Sequence, residues 1–400
     1  MTEKLYYKDS HMREFEAVVT GCEKDRKGYR VILDRTAFFP EGGGQCADSG
    51  ELEILTGLGS ETDVSAEEKR MVQVLDVQEA DGSIYHVTDA PISQGTAVKG
   101  ILDWTARFSN MQQHSGEHIL SGLVHRTFGY DNVGFHLGRE IVTMDFNGSF
   151  TEEELKDIET RANEAVFSNL KIQTDFPDRE ALRSMEYRSK IELEGEVRIV
   201  TIPGIDVCAC CAPHVDRTGE IGLIKIVDAQ NYKGGTRITI QCGIRALTDY
   251  RKKQDNIRAI SVALSARQDE TALAVEKVKA ETADLKVCLA RAQGELIRYK
   301  AEAVACAEGS ICLFEEGLDA KAMRELVNLL VPKTKILAAV FSGSTKDGFR
   351  YILGSQTMDM RNASKALNQA FSGRGGGSAA MAQGTVFGEK EKIKEYIDEI

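Results

Sequence analysis

The sequence predicts an α+β protein in four regions: a small amino-terminal β-barrel, an α+β domain carrying metal donors, a long helical segment and a carboxy-terminal α/β unit. Three observations carry this. Short β-like runs between Gly and Asp turns fill residues 15–100, the punctuation of a small antiparallel barrel. A helical stretch at 104–128 opens a region where strands and helices are interspersed. From Ile257 to Tyr299, residues recur at alternating four- and three-residue steps, the spacing of a heptad seam. The boundaries drawn from these shifts are 1–103, 104–250, 251–308 and 309–400.

In the first region the β-like runs are 30–33, 71–77 and 83–87. In the second, Met111, Ile119, Leu120 and Leu123 fit a helix, followed by a strand at 141–146, a charged helix at 151–170 and strands near 197–202, 223–228 and 237–241. The seam reads Ile257, Ser261, Leu264, Gln268, Thr271, Val275, Val278, Thr282, Leu285, Leu289, Ala292, Leu296 and Tyr299. Its polar and small members make it weak, either an intrachain helical hairpin or a homodimer zipper, and no proline interrupts it. The last region alternates strands at 311–314, 336–341 and 351–353 with helices near 320–330 and 363–371.

With 42% hydrophobic and 28% charged residues, the chain has material for more than one core, which excludes a disordered protein. No apolar run approaches a membrane span, so no membrane partner is expected, and residues 1–13 lack the hydrophobic centre of a signal peptide. Nine cysteines, an odd number scattered along the chain, make no disulfide framework, and a reducing cytoplasm is the expected compartment. A net charge of -12 argues against gripping nucleic acid over the whole surface. The acidic excess lies in the front of the chain. RNA contacts are therefore expected locally, at Arg251-Lys252-Lys253 and at a carboxy-terminal glycine-arginine loop, with strong salt dependence. Taken singly, each cation reads more simply as solvating a helix face.

His114-Ser115-Gly116-Glu117-His118 places two imidazoles four residues apart on one helix face. About ninety residues later, Cys210-Cys211-Ala212-Pro213-His214 offers a sulfur and a third imidazole from a tight loop, because Pro213 excludes a helix interior. Each half alone has an ordinary explanation, surface histidines or inert core cysteines. Together, in a chain with only seven histidines, His114, His118, Cys210 and His214 read as one site. Their softness favours zinc over magnesium or calcium. Cys208 and Cys211 lie within reach of the same loop, so the choice of sulfur stays open.

Two glycine segments stand out. Thr36-Ala37-Phe38-Phe39-Pro40-Glu41-Gly42-Gly43-Gly44-Gln45 is no Walker loop, since no Gly-Lys-Ser/Thr follows. Its glycines permit close approach to another molecule or positive φ, or form a hairpin turn of the barrel. Ser372-Gly373-Arg374-Gly375-Gly376-Gly377-Ser378 could hold a phosphate or a flat base with exposed amides and one arginine, or be a flexible loop.

In order, Phe38 to Gln45, Met111 to His118, Cys210 to His214 and Thr218-Gly219-Glu220-Ile221-Gly222 resemble the editing region of alanyl-tRNA synthetase and its freestanding relatives, the AlaX proteins. Gly375-Gly376-Gly377 resembles the carboxy-terminal domain of that synthetase, shared with DHH-type phosphoesterases. The resemblance spans nearly the whole chain. Starting directly at the barrel leaves no room for an aminoacylation domain, so the expectation is the long AlaX form. Departures are Phe39 where the family has Tyr, Cys46 where proline is common, and Cys211-Ala212-Pro213 in place of Gly-Gly-Thr.

The resemblance implies hydrolysis of the ester joining serine, or alternatively glycine, to tRNA(Ala). His114, His118, Cys210 and His214 then hold Zn2+. Gly42, Gly43, Gly44 and Ser115 contact substrate, and Arg374, Gly375, Gly376 and Gly377 contact RNA. Glu117, Thr36 and Gln45 are the catalytic candidates. Glu117 is the one carboxylate inside the half-site, although synthetase versions of the motif lack it. Thr36 is the candidate for bonding the serine hydroxyl, so that alanine leaves a buried group unpaired. The synthetase likeness also carries nucleotide and ATP binding as an expectation. Four protein ligands fill a tetrahedron, which favours a positioning role for the metal. Two rivals remain: an inverted-zincin metallopeptidase, from His114-x-x-Glu117-His118, and a non-catalytic tRNA-binding protein with structural zinc.

Overall fold

The computed structural model describes residues 2–26, 28–55, 71–138, 141–189 and 196–400. The chain divides into two units, Met1–Asn256 and Ile257–Ile400.

In the first unit, strands Glu14–Asp25, Gly28–Leu33, Ser83–Thr88, Met71–Ala80, Gly50–Ile54 and Ala97–Leu102 close in that order into a barrel with antiparallel neighbours. Closure removes the strand edges, and alternation sends Val19, Val31, Leu52, Val72 and Val98 into one core with Phe38 and Phe39 of the connecting loop.

Helix Trp104–Phe128 follows, its first turn capped by the Asp103 side chain on the Ala106 amide and its end marked by Gly129 at φ 69°. Every residue from Ser109 to Val124 is buried, so this helix is enclosed on all sides. It is packed by a four-stranded sheet, Ile224–Tyr232, Gly235–Cys242, Val142–Phe146 and Asn132–Leu137, and by strand Asp206–Ala209 of a three-stranded sheet with Gln173–Asp175 and Ile199–Ile202. Helix Glu152–Phe167 covers the same core behind a Thr151/Glu154 capping box.

The second unit is a five-stranded sheet in the order Ile311–Phe314, Ala338–Ser344, Gly348–Gly354, Met381–Val386, Arg374–Gly377, parallel only in its first pair. Period-two alternation feeds two cores. Ala339 and Phe341 meet helices Met360–Ala370 and Lys390–Asp398 on one face, whereas Ala338 and Val340 meet Ala320–Leu330 and the end of Thr271–Ala303 on the other.

The seam is carried by two helices: Gly243–Leu264, which runs through the expected boundary at 250 and stops before Ser265 at φ 50°, and Thr271–Ala303, which follows the 3-10 turn Gln268–Glu270. Within the single chain Leu285, Leu289, Leu296 and Tyr299 are exposed, while Ile297 and Ala301, off the seam, pack against Ala320–Leu330. One expectation is corrected here: the expected glycine-arginine loop is a strand, Arg374–Gly377, whose backbone pairs with Met381–Val386.

Candidate metal centre and its cavity

His114 and His118 project from the enclosed helix, and Cys210 and His214 come from the loop that leaves strand Asp206–Ala209. One donor atom from each lies within 4.8 Å of all the others. The Cys210 Sγ stands 3.4 Å from Nε2 of both His114 and His214. Among the three cysteines of this loop, Cys210 is thus the one that joins all three histidines. Cys211 is exposed, and Cys208 groups only with His118 and Asp206. Burial, followed by the neighbouring His118 and His114, holds His214 well below the usual imidazole range, so it stays neutral and able to donate a lone pair.

Each histidine is tied from behind. His114 Nδ1 lies 2.9 Å from Gln45 Oε1, His118 Nδ1 2.9 Å from Asp206 Oδ2, and His214 Nδ1 3.0 Å from Ser115 Oγ. With Nδ1 donating to Gln45 and Asp206, the tautomer is fixed and Nε2 turns to the cluster. Arg188 donates two bonds to Asp206, at 2.7 and 2.8 Å. Burial would raise the Asp206 pKa, but the bonds from His118 and Arg188 outweigh it and hold the carboxyl below its ordinary value. Gly122 lets this strand approach the helix: a Cβ there would meet the Ile205 carbonyl at 2.6 Å and the Asp206 Cβ at 2.7 Å.

The cluster opens on a cavity of about 1130 Å³ whose wall includes His114, His118, Cys210, Gly43, Gly44, Tyr7, Phe135, Phe176 and Arg198. Gly43 and Gly44 take φ values of 59° and 79°. A Cβ on Gly44 would lie 2.7 Å from the Phe135 ring, and one on Gly43 3.2 Å from Cys211 Sγ. The turn is fastened by the Leu137 amide on the Gly44 carbonyl at 2.9 Å, which presents Gln45 to His114. Behind it, Asp48 accepts the Phe39 amide at 2.7 Å and Arg107 Nε at 2.9 Å, both residues deeply buried.

Three family profiles match. Residues 2–106 match tRNA synthetases class II (A), 197–239 match the threonyl and alanyl tRNA synthetase second additional domain, and 303–400 match the DHHA1 domain. The alanyl-tRNA editing protein AlaX-L of Pyrococcus horikoshii is 27% identical, covering 98% of this chain and 96% of its own. Over nearly its full length the chain is similar to this long-form AlaX protein, and its three profile matches fit that form. The alanine–tRNA ligase of Ignicoccus hospitalis is 28% identical over 100% of this chain, which spans only 43% of that ligase. The Archaeoglobus fulgidus ligase is 30% identical over 96% of the chain and 42% of its own length.

The predicted residues fall into three groups. His114, His118, Cys210 and His214 converge, with Glu117 beside them: its Oε2 lies 3.8 Å from His118 Nε2, and its Oε1 accepts from Ser121 and Asn132 at 2.6 Å each. Gly43 and Gly44 line the cavity, while Gly42 closes the turn through paired bonds with Gln45. Gln45 and Ser115 bond the Nδ1 atoms of His114 and His214, on the side of each imidazole away from the cluster. Thr36 is fully buried, its hydroxyl 2.8 Å from His86 Nε2 and accepting the Phe38 amide, and it is not among the residues that line the cavity. Arg374 and Gly375 to Gly377 are exposed strand residues of the second unit. Neither the described residues nor the comparisons support ATP binding. Asp206, Arg188 and Arg198 were missed by sequence reasoning. For Asp206 a signal existed, since Asp206, Cys208 and Cys210 alternate at period two into the ligand loop.

Proposed function

We propose that the chain is a trans-editing aminoacyl-tRNA deacylase of the cytoplasm, hydrolysing the ester of serine, with glycine as the second candidate, on mischarged tRNA(Ala). The observation that carries this reading is the convergence of three back-tied imidazoles and one sulfur beside a cavity whose wall includes His114, His118 and Cys210. The donor set fits zinc in softness and number, with His114, His118, Cys210 and His214 as its ligands. Bound there, zinc would supply a fixed positive charge that polarises the ester or holds the substrate α-amine.

The protein groups do the rest. Gln45, Asp206 and Ser115 hold the imidazole orientations, and the Gly43–Gly44 turn forms a side-chain-free wall against which the acyl group can lie. Glu117 is the carboxylate at the cluster and the candidate to hold the proton taken from water. Thr36 steadies Phe38 and His86, so Thr36→Val is expected to slow seryl and glycyl esters alike instead of changing their ratio. Four protein donors with no carboxylate among them weigh against the metallopeptidase. Exposed Leu285, Leu289 and Leu296 on helix Thr271–Ala303 are the surface expected to pair copies, and Arg374 to Gly377 the segment expected to touch RNA. The test is single-turnover deacylation of seryl-tRNA(Ala) against alanyl-tRNA(Ala) by the zinc-loaded protein. Turnover of the seryl ester no faster than in buffer would end the proposal.

A further inference from the structure

Apart from the histidines, three cations line the cavity: Lys4, Lys8 and Arg198. Two of them are neutralised. Lys4 Nζ pairs with Glu79 at 2.8 Å and Lys8 Nζ with Glu3 at 2.5 Å. Arg198 has no carboxylate partner among the described residues, although it is only 7% exposed. Its Nη1 donates to the main-chain oxygens of Cys210 at 3.0 Å and Ala212 at 2.8 Å, which seats it against the ligand loop. Its Nε is buried with no acceptor among the described residues, and the guanidinium lies 5.3 Å from the centre of the Tyr7 ring.

A buried guanidinium is costly unless an anion meets it, and two carbonyls on one nitrogen satisfy a fraction of its five donors. Two aromatic rings share this wall. Tyr7 and Phe176 meet edge to face at 5.5 Å, flat apolar surface of the kind on which a nucleobase stacks. Resting on the editing reading above, we propose that Arg198 receives the phosphate of the 3′-terminal nucleotide whose ester lies at the His/Cys cluster. Arg198 thereby couples two tasks, fixing the Cys210 carbonyl and registering the nucleotide against the metal ligands.

The experiment compares 5′-AMP with adenosine, which differ by the phosphate alone, as ligands of the zinc-loaded full chain by calorimetry. The parent protein should bind AMP about tenfold more tightly, as a charge-assisted contact requires. Arg198→Gln should make the two equal with zinc content retained, and Arg198→Lys should keep part of the preference, since a point charge survives without the fork. Equal binding of AMP and adenosine by the parent overturns the assignment. So does an Arg198→Gln variant that weakens both ligands equally or loses zinc, because Arg198 then only clamps the loop. Seryl-tRNA(Ala) deacylation by the parent, measured separately, tells failure of the editing reading apart from failure of this contact.

Discussion

The protein contains two runs of three glycines, and they do opposite things. Gly42 to Gly44 form a turn in which two residues have positive φ and a Cβ would strike the Phe135 ring, and the turn delivers Gln45 to His114 of the His/Cys cluster. Gly375 to Gly377 form an exposed strand paired on one side with Ala382 to Gly384, and the middle glycine has nothing within 4 Å of where its Cβ would be. The same composition thus serves positive φ in one place and, in the other, a close approach at Gly375 and Gly377 around an open Gly376. What separates them is the neighbour each run meets.

Substitution should expose this difference most at Gly44. Gly44→Ala combines strain at positive φ with overlap on Phe135, and should cost about 3 kcal/mol of stability and displace Gln45 from His114. Denaturant titration and zinc content would register both, and an alanine variant as stable as the parent would break the comparison. The loop that Gly43 touches should be next in sensitivity. Cys210→Ala is expected to lower zinc retention more than Cys208→Ala or Cys211→Ala, because only the Cys210 sulfur joins all three histidines. An equal or reversed order in elemental analysis would mean that another sulfur binds.

Asp206→Asn should weaken zinc by roughly 10–100-fold by loosening His118. Linkage gives a second check. The folded Asp206 pKa is depressed, so its contribution is fully present above the unfolded value of about 3.9 and is lost as pH falls through the lower folded value. Stability of the parent and the Asn variant should therefore converge in acid, and a constant gap across pH 2–6, taken as roughly that range, would contradict the ion-pair assignment. The smallest effect belongs to the second glycine run. Gly376→Ala should change stability by no more than about 0.5 kcal/mol, whereas Arg374→Ala should reduce the salt slope of tRNA binding by about one. An unchanged slope would remove Arg374 from the RNA surface.

Much of this was legible beforehand for a chemical reason. Metal donors are rare residue types, and their His-x-x-x-His and Cys-x-x-x-His spacings are local, so helix and loop geometry alone predicts that each pair can converge. Barrel strands and the sheet of the second unit announced themselves by short apolar runs between turns. The bond from Thr36 to His86 was not legible because a hydroxyl's partner is a tertiary fact: nothing near Thr36 in sequence points to His86, fifty residues away. The heptad seam left its partner open because a spacing pattern does not say which apolar positions find a neighbour within the chain, and Ile297 and Ala301 found one where Leu296 did not.

By itself, then, the sequence determined the donors, the barrel and the order of the elements, all set by local periodicity and by side-chain chemistry that few residue types possess. The tertiary structure alone decided which sulfur faces the histidines, which side chains stand behind each imidazole, and that Arg198 is buried with no carboxylate partner among the described residues. Those features depend on strands far apart in the chain being brought against one enclosed helix, and no local pattern encodes which of them will meet.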